Sequence, residues 1–95
     1  MKVVHCKREP YDVYIGRPSK WGNPFKVGAE YQGRTLQRGD AVEAYRDWLF
    51  YSDEGLRLLE DINELDGKVL GCWCKPRACH GDVLLEAVEV RKRGA

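Results

Sequence analysis

The stretch Lys68-Val-Leu-Gly-Cys-Trp-Cys74 constrains this chain most. It is apolar along nearly its whole length and lacks the alternation of a strand with one wet face. Strands of this kind lie in the middle of a sheet and are covered on both sides. Pro76 then breaks the extended chain, and Val83, Leu84, Ala87 and Val88 follow at helical spacing, with Asp82 in a first turn where the helix dipole favours an anion. A strand that passes at once into a helix puts the chain among the layered α/β folds.

The remaining segments fit that class. Residues 3–6 and 11–15 predict two strands, and residues 25–27 and 34–36 a short hairpin around Gln32-Gly33. Asp40 followed by Glu43 reads as a capped helix start, with Ala41, Ala44, Tyr45, Trp48 and Leu49 on one apolar face. Ser52 caps a second helix carrying Leu56, Leu59, Ile62 and Leu65, which Asp66-Gly67 ends. At 95 residues the chain is one domain, 1–95, with residues 91–95 expected to fray. The expected fold is α/β: a compact single-layer sheet of about four to five strands flanked by three helices, Rossmann-like.

Composition narrows the class further. Hydrophobic residues make up 43% and charged residues 33%, which excludes a disordered chain. No apolar run approaches the roughly 20 residues that span a bilayer, so no membrane partner is expected. The segment Met1-Lys-Val-Val-His-Cys6 reads as a strand rather than a secretion signal. The expected location is therefore cytoplasmic, that of the host if a phage encodes the chain, with the four cysteines reduced.

Charge is segregated along the chain. Residues 1–38 carry eight Lys/Arg and three Asp/Glu, residues 39–67 two and nine, and residues 68–95 six and three. The acidic block fits the solvated face of two helices. The basic blocks hold two loops rich in Gly, Pro and polar side chains, and could converge on an anion. A net charge of +1 is low for general nucleic-acid binding, which rests on many cation–phosphate contacts, so nucleic acid is not expected as the main partner.

The first loop offers Arg17, Ser19, Lys20, Trp21 and Asn23. Arginine can fork onto phosphate, tryptophan can stack on a base, and asparagine can pair with it. The second offers Lys75 and Arg77 just ahead of a helix N-terminus, a natural phosphate site. Together they suggest a phosphate-bearing, nucleotide-like ligand. The plainer alternative for Trp21-Gly-Asn-Pro-Phe25 is a folded turn that plugs the core.

Three readings of Cys72, Cys74, Cys79 and His80 stay open. They could be a metal set, with zinc or an iron–sulfur centre in view and His5 or Cys6 as substitute ligands. The spacing C-x-C-x4-C-H is not that of common zinc modules, and binding one ion through both Cys79 and His80 is cramped. Alternatively Cys79 is a nucleophile, activated by the helix dipole and assisted by His80 and Asp82 as the catalytic set. In the third, Cys72 and Cys74 are small core residues.

Residues 14–25 (YIGRPSKWGNPF) and 71–84 (GCWCKPRACHGDVL) resemble the signature blocks of domain of unknown function family 4326, found in bacteria, archaea and bacteriophages. The resemblance covers nearly the whole chain. It implies a small stand-alone domain in which Arg17, Lys20, Trp21, Asn23, Cys72, Cys74, Cys79, His80 and Asp82 hold signature positions. It implies no activity. It adds one further candidate, a phage-encoded module that docks a host protein.

Overall fold

The apolar strand takes the central place that its composition demands. The computed structural model describes residues 2–75, 77 and 79–94. In chain order the elements are β1 (Lys2–His5), β2 (Val13–Tyr14), β3 (Glu30–Tyr31), β4 (Arg34–Thr35), α1 (Arg38–Tyr51), α2 (Asp53–Leu59), a 3-10 turn (Ile62–Leu65), β5 (Val69–Cys72) and α3 (His80–Gly94). β5 lies between β1 and β2 and is parallel to both. Val4 pairs with Gly71, and Tyr14 pairs with the same glycine from the other side. The ring of Tyr11 crosses Gly71 so closely that a Cβ there would sit 2.6 Å from it, which is why this strand position has no side chain.

The architecture is mixed α/β with three helices, but not the single sheet of the sequence expectation. β3 and β4 form a separate two-stranded antiparallel hairpin. Gln32 and Gly33 both adopt positive φ, 51° and 82°, the turn that matches the twist of a tight hairpin. The hairpin's two-residue strands are largely exposed and present no apolar face that could be buried against the parallel sheet.

Local boundaries differ from expectation for identifiable reasons. α1 starts two residues before Asp40. Asp40 sits in the first turn, and its Oδ2 accepts from the Gln37 N–H at 3.0 Å, closing the helix start from the inside. The second predicted helix divides into α2 and the 3-10 turn. Ser52 caps α2 as expected, its Oγ accepting from the Gly55 N–H at 3.0 Å. α3 continues to Gly94, beyond the predicted fraying point, while Pro76 and Ala95 lie outside the described residues.

α1, α3 and the 3-10 turn close over the sheet with Tyr45, Leu49, Ile62, Leu65, Leu70, Val83 and Leu84 essentially water-free. Burying each large side chain contributes about 1.5–3 kcal/mol. α3 begins in very close contact with the sheet: a Cβ on Gly81 would meet Ile15 at 2.8 Å and Val3 at 2.9 Å. That approach fixes where Cys79 and His80 stand. Among the described residues, no helix is long and apolar enough to cross a membrane.

Candidate functional site

The carboxyl ends of the parallel strands open onto a cleft of about 990 Å3. Its base comprises the residues that end those strands, His5, Tyr14 and Cys72, with Trp73 and Cys74 just past β5. One wall is the loop after β2, bringing Arg17, Asn23 and Phe25. Another is the start of α1, bringing Arg38, Ala41 and Val42. Ligands gather at this edge of parallel sheets because the loops there are free to converge and helix starts point N–H groups toward them.

Six cations line the cleft, namely Arg8, Arg17, Lys26, Arg38, Lys75 and Arg77; among the described residues no Asp or Glu does. The sequence reading missed Arg8, Lys26 and Arg38. Arg38 opens α1 two residues ahead of the helix start read from the sequence, so no local signal marked it. Lys75 is held by Asp82 at 2.9 Å. Burial is the largest single influence and works against the Lys75 charge, but the hydrogen bond and charge of Asp82, with the nearby Cys79 and Cys72 sulfurs, together raise the pKa.

The first loop divides. Arg17 and Asn23 reach the cleft, and Ser19, Lys20 and Trp21 do not. Trp21, expected to stack on a ligand, is 3% exposed within the core, and Tyr45 donates to its carbonyl at 2.9 Å. Lys20 turns away to Asp61 and Glu64, at 3.1 and 3.0 Å. The Ser19 hydroxyl is buried without a partner. Both ends of the Asn23 amide are engaged: Oδ1 accepts from the Phe25 N–H at 2.8 Å, and Nδ2 donates to the Ala41 carbonyl at 3.1 Å. Arg17 donates to the Asn23 carbonyl at 3.0 Å. This loop is a clamp that ties β2 to α1 and presents one guanidinium.

The aromatic surface belongs instead to Trp73, which is 55% exposed. Its indole N–H donates to the Tyr14 hydroxyl at 2.8 Å, and that hydroxyl donates to the Arg17 carbonyl at 3.0 Å.

At the inner end of the cleft the sulfurs of Cys72, Cys74 and Cys79 all lie within 4.8 Å of one another. Cys72 comes from the end of β5, Cys74 from the following turn, and Cys79 from the residue before α3. Cys72 and Cys79 are buried, Cys74 is half-buried, and all are free thiols. The Gly81 N–H donates to the Cys79 sulfur at 3.3 Å. Hydrogen bonds from Cys72 and then Cys79 draw the Cys74 thiol strongly down, with the Arg38 charge assisting against burial. Cys79 moves up, because its bonds with Cys72 and Cys74 retain its proton and burial adds to the effect. Cys74 stands at the cleft, whereas Cys79, the expected nucleophile, is buried behind it.

The other two members of the expected catalytic set also have prior engagements. His80 Nε2 donates to the Ile15 carbonyl at 2.8 Å, leaving Nδ1 as the acceptor, 3.8 Å from the Cys79 sulfur. Burial lowers the His80 pKa, so the imidazole is held neutral. It stands outside the mutually close sulfur set. Asp82 is half-exposed and serves Lys75. Cys6 is half-buried and His5 Nδ1 accepts from the Lys7 N–H at 3.1 Å; neither joins the thiols.

Residues 2–90, which carry every side chain of this site, match the family described as Domain of unknown function (DUF4326). The chain belongs to that family. Among DUF4326 relatives, an uncharacterized 12.4 kDa protein in the nrdA-td intergenic region of Enterobacteria phage T4 is 33% identical over 89 residues, which is 92% of this chain and 76% of the phage protein. Uncharacterized protein R718 of Acanthamoeba polyphaga mimivirus is 34% identical over 93 residues, with 79% of this chain and 65% of that protein covered. No solved structure matches this DUF4326 chain.

Proposed function

We propose that this DUF4326 protein binds a small phosphate-bearing anion of nucleotide size in the cleft at the strand ends. One observation carries the reading: six Lys and Arg side chains surround a cleft of about 990 Å3 with no carboxylate among its described lining residues. Cations crowded together repel one another, and an anion in their midst relieves that repulsion. Arg8, Arg38 and Arg77 supply planar forks suited to phosphate oxygens. Trp73, more than half exposed with the Lys7 ammonium 5.4 Å from its ring centroid, is the aromatic side chain on which a base would stack, the role the sequence alone suggested for Trp21.

The test is calorimetric titration with nucleoside mono-, di- and triphosphates and with inorganic pyrophosphate, at low and high salt. Nucleotides are expected to bind with an affinity that falls as salt screens the cations. Arg38→Ala should weaken binding by more than about tenfold, as loss of a charged hydrogen bond does, with the circular dichroism unchanged. Absence of binding by both nucleotides and pyrophosphate at millimolar concentration defeats the reading.

A further inference from the structure

We propose that Cys72, Cys74 and Cys79 bind one divalent cation of borderline-soft character, zinc foremost, with its fourth coordination position facing the cleft. The inference stands apart from the anion reading and survives its failure.

Convergence is the first argument. A strand end, a turn and a helix start deliver one sulfur each to a single point, all within 4.8 Å of one another. Cysteines that merely pack as small hydrophobes have no reason to choose one another. Among the described residues, no other group of three His, Cys, Asp or Glu side chains assembles in this way.

Distance is the second. The Cys72 and Cys79 sulfurs approach to 2.7 Å. That is inside an ordinary non-bonded contact of roughly 3.5–4.0 Å and outside the ~2.05 Å of a disulfide. Three thiolates on zinc, each at about 2.3 Å from the metal, stand roughly 3.8 Å apart in tetrahedral geometry. Parting Cys72 and Cys79 by about 1 Å accommodates the ion, a displacement within reach of small side-chain rotations. A Cys72–Cys79 disulfide would leave the convergence of Cys74 without a purpose.

Charge is the third. Three thiolates and a dication sum to one negative charge. Arg38 and Lys75 flank the cluster from the cleft, and the Gly81 N–H already donates to the Cys79 sulfur, which would offset part of the negative charge of a bound thiolate. Binding forms three sulfur–metal bonds, releases the proton of each thiol to solvent and transfers no electron.

The open position follows from placement. Cys72 and Cys74 line the cleft and Cys79 closes the triangle behind them, so the unliganded side of the ion faces the cleft. His80 stands beside the set: Nε2 is committed to the Ile15 carbonyl, and Nδ1, 3.8 Å from the Cys79 sulfur, is not among the atoms that lie within 4.8 Å of one another. Three protein ligands with a free fourth position are the pattern of zinc sites that act on something, whereas structural sites are closed by four.

The full chain, expressed without a tag and reduced under nitrogen, is titrated with Co2+. The expected result is one Co2+ per chain, with a sulfur-to-cobalt charge-transfer band and tetrahedral d–d bands that equimolar Zn2+ abolishes. Cys74→Ser, at the half-buried position, should lose the band with its circular dichroism intact, and Cys6→Ser should keep it. Absence of a charge-transfer band, or its persistence in Cys74→Ser, overturns the site. So does finding a Cys72–Cys79 disulfide in place of free thiols in the protein purified before any reductant is added. Excess azide should shift the d–d bands of the wild-type protein; bands that do not move overturn the open fourth position.

Discussion

The loop of residues 16–25 and the strand–turn–helix of residues 72–82 use the same vocabulary: one tryptophan, one lysine and one arginine each, with two prolines and two glycines in the first and one of each in the second. The fold puts them to opposite uses. In the first, Trp21 is 3% exposed and Lys20 is tied to Asp61 and Glu64; in the second, Trp73 is 55% exposed and Lys75 lines the cleft. The loop follows β2, an edge strand of two residues, and must be anchored to something larger, so its side chains are spent on α1 and the core. The second segment follows β5, already held from both sides, and it brings Trp73, Cys74, Lys75 and Arg77 to the cleft. Residue type suggests a ligand loop in both places, and mechanical support decides which tryptophan and which lysine reach the cleft.

The largest test of this contrast is a pair of tryptophan substitutions. Trp21→Ala should cost about 3–5 kcal/mol, as loss of a buried aromatic does, read from urea denaturation. Trp73→Ala should leave the denaturation midpoint nearly unmoved and weaken nucleotide binding. Equal destabilisation by both would break the comparison.

Next comes Gly81→Ala, at the helix start that sets the second segment in place. The added methyl meets Ile15 at 2.8 Å and Val3 at 2.9 Å. Overpacking of this kind costs about 1–3 kcal/mol, and a shifted α3 should also weaken Co2+ binding by the thiols. A variant as stable as wild type would show that α3 can move away from the sheet without penalty.

Acid should act through His80. Its pKa in the folded protein lies below the ordinary 6.5 because the ring is buried. The unfolded chain therefore takes up the proton first, and stability that is complete above 6.5 is lost as pH falls through the folded value. The melting temperature of the wild type should fall more steeply with acidification than that of His80→Asn. Parallel slopes would mean that the imidazole is not held neutral.

The smallest effect is expected at Lys20→Ala, whose ion pairs are exposed and screened by solvent. Neither the melting temperature nor nucleotide affinity should change measurably. A loss of affinity would return Lys20 to the ligand site and blur the contrast between the two segments.

Much of the frame was legible in local pattern. The unbroken apolar run of β5 announced a central strand, and Ser52 announced its helix, because burial on both faces and capping are local consequences of residue type. The hairpin's turn was found through Gln32-Gly33, whose left-handed conformations suit few other pairs, although its first strand is Glu30–Tyr31 and not residues 25–27. Its failure to join the main sheet was not legible, because edge pairing depends on a partner surface elsewhere in the chain. At the site, Lys75 and Arg77 were found from their position ahead of a helix, while Arg8, Lys26 and Arg38 were missed because they stand in separate segments that only folding brings together.

By itself, then, the sequence determined which two segments are chemically dense, that four ligand-type side chains cluster near one strand end, and that the chain forms an α/β layer. These follow from short-range spacing, which a linear chain carries in full. Only the tertiary structure decided which tryptophan is core and which is surface, that Cys74 rather than Cys79 faces the cleft, and that His80 is committed to the Ile15 carbonyl. Exposure and hydrogen-bond partnership are properties of what packs against a residue, and those neighbours stand up to 65 positions away along the chain.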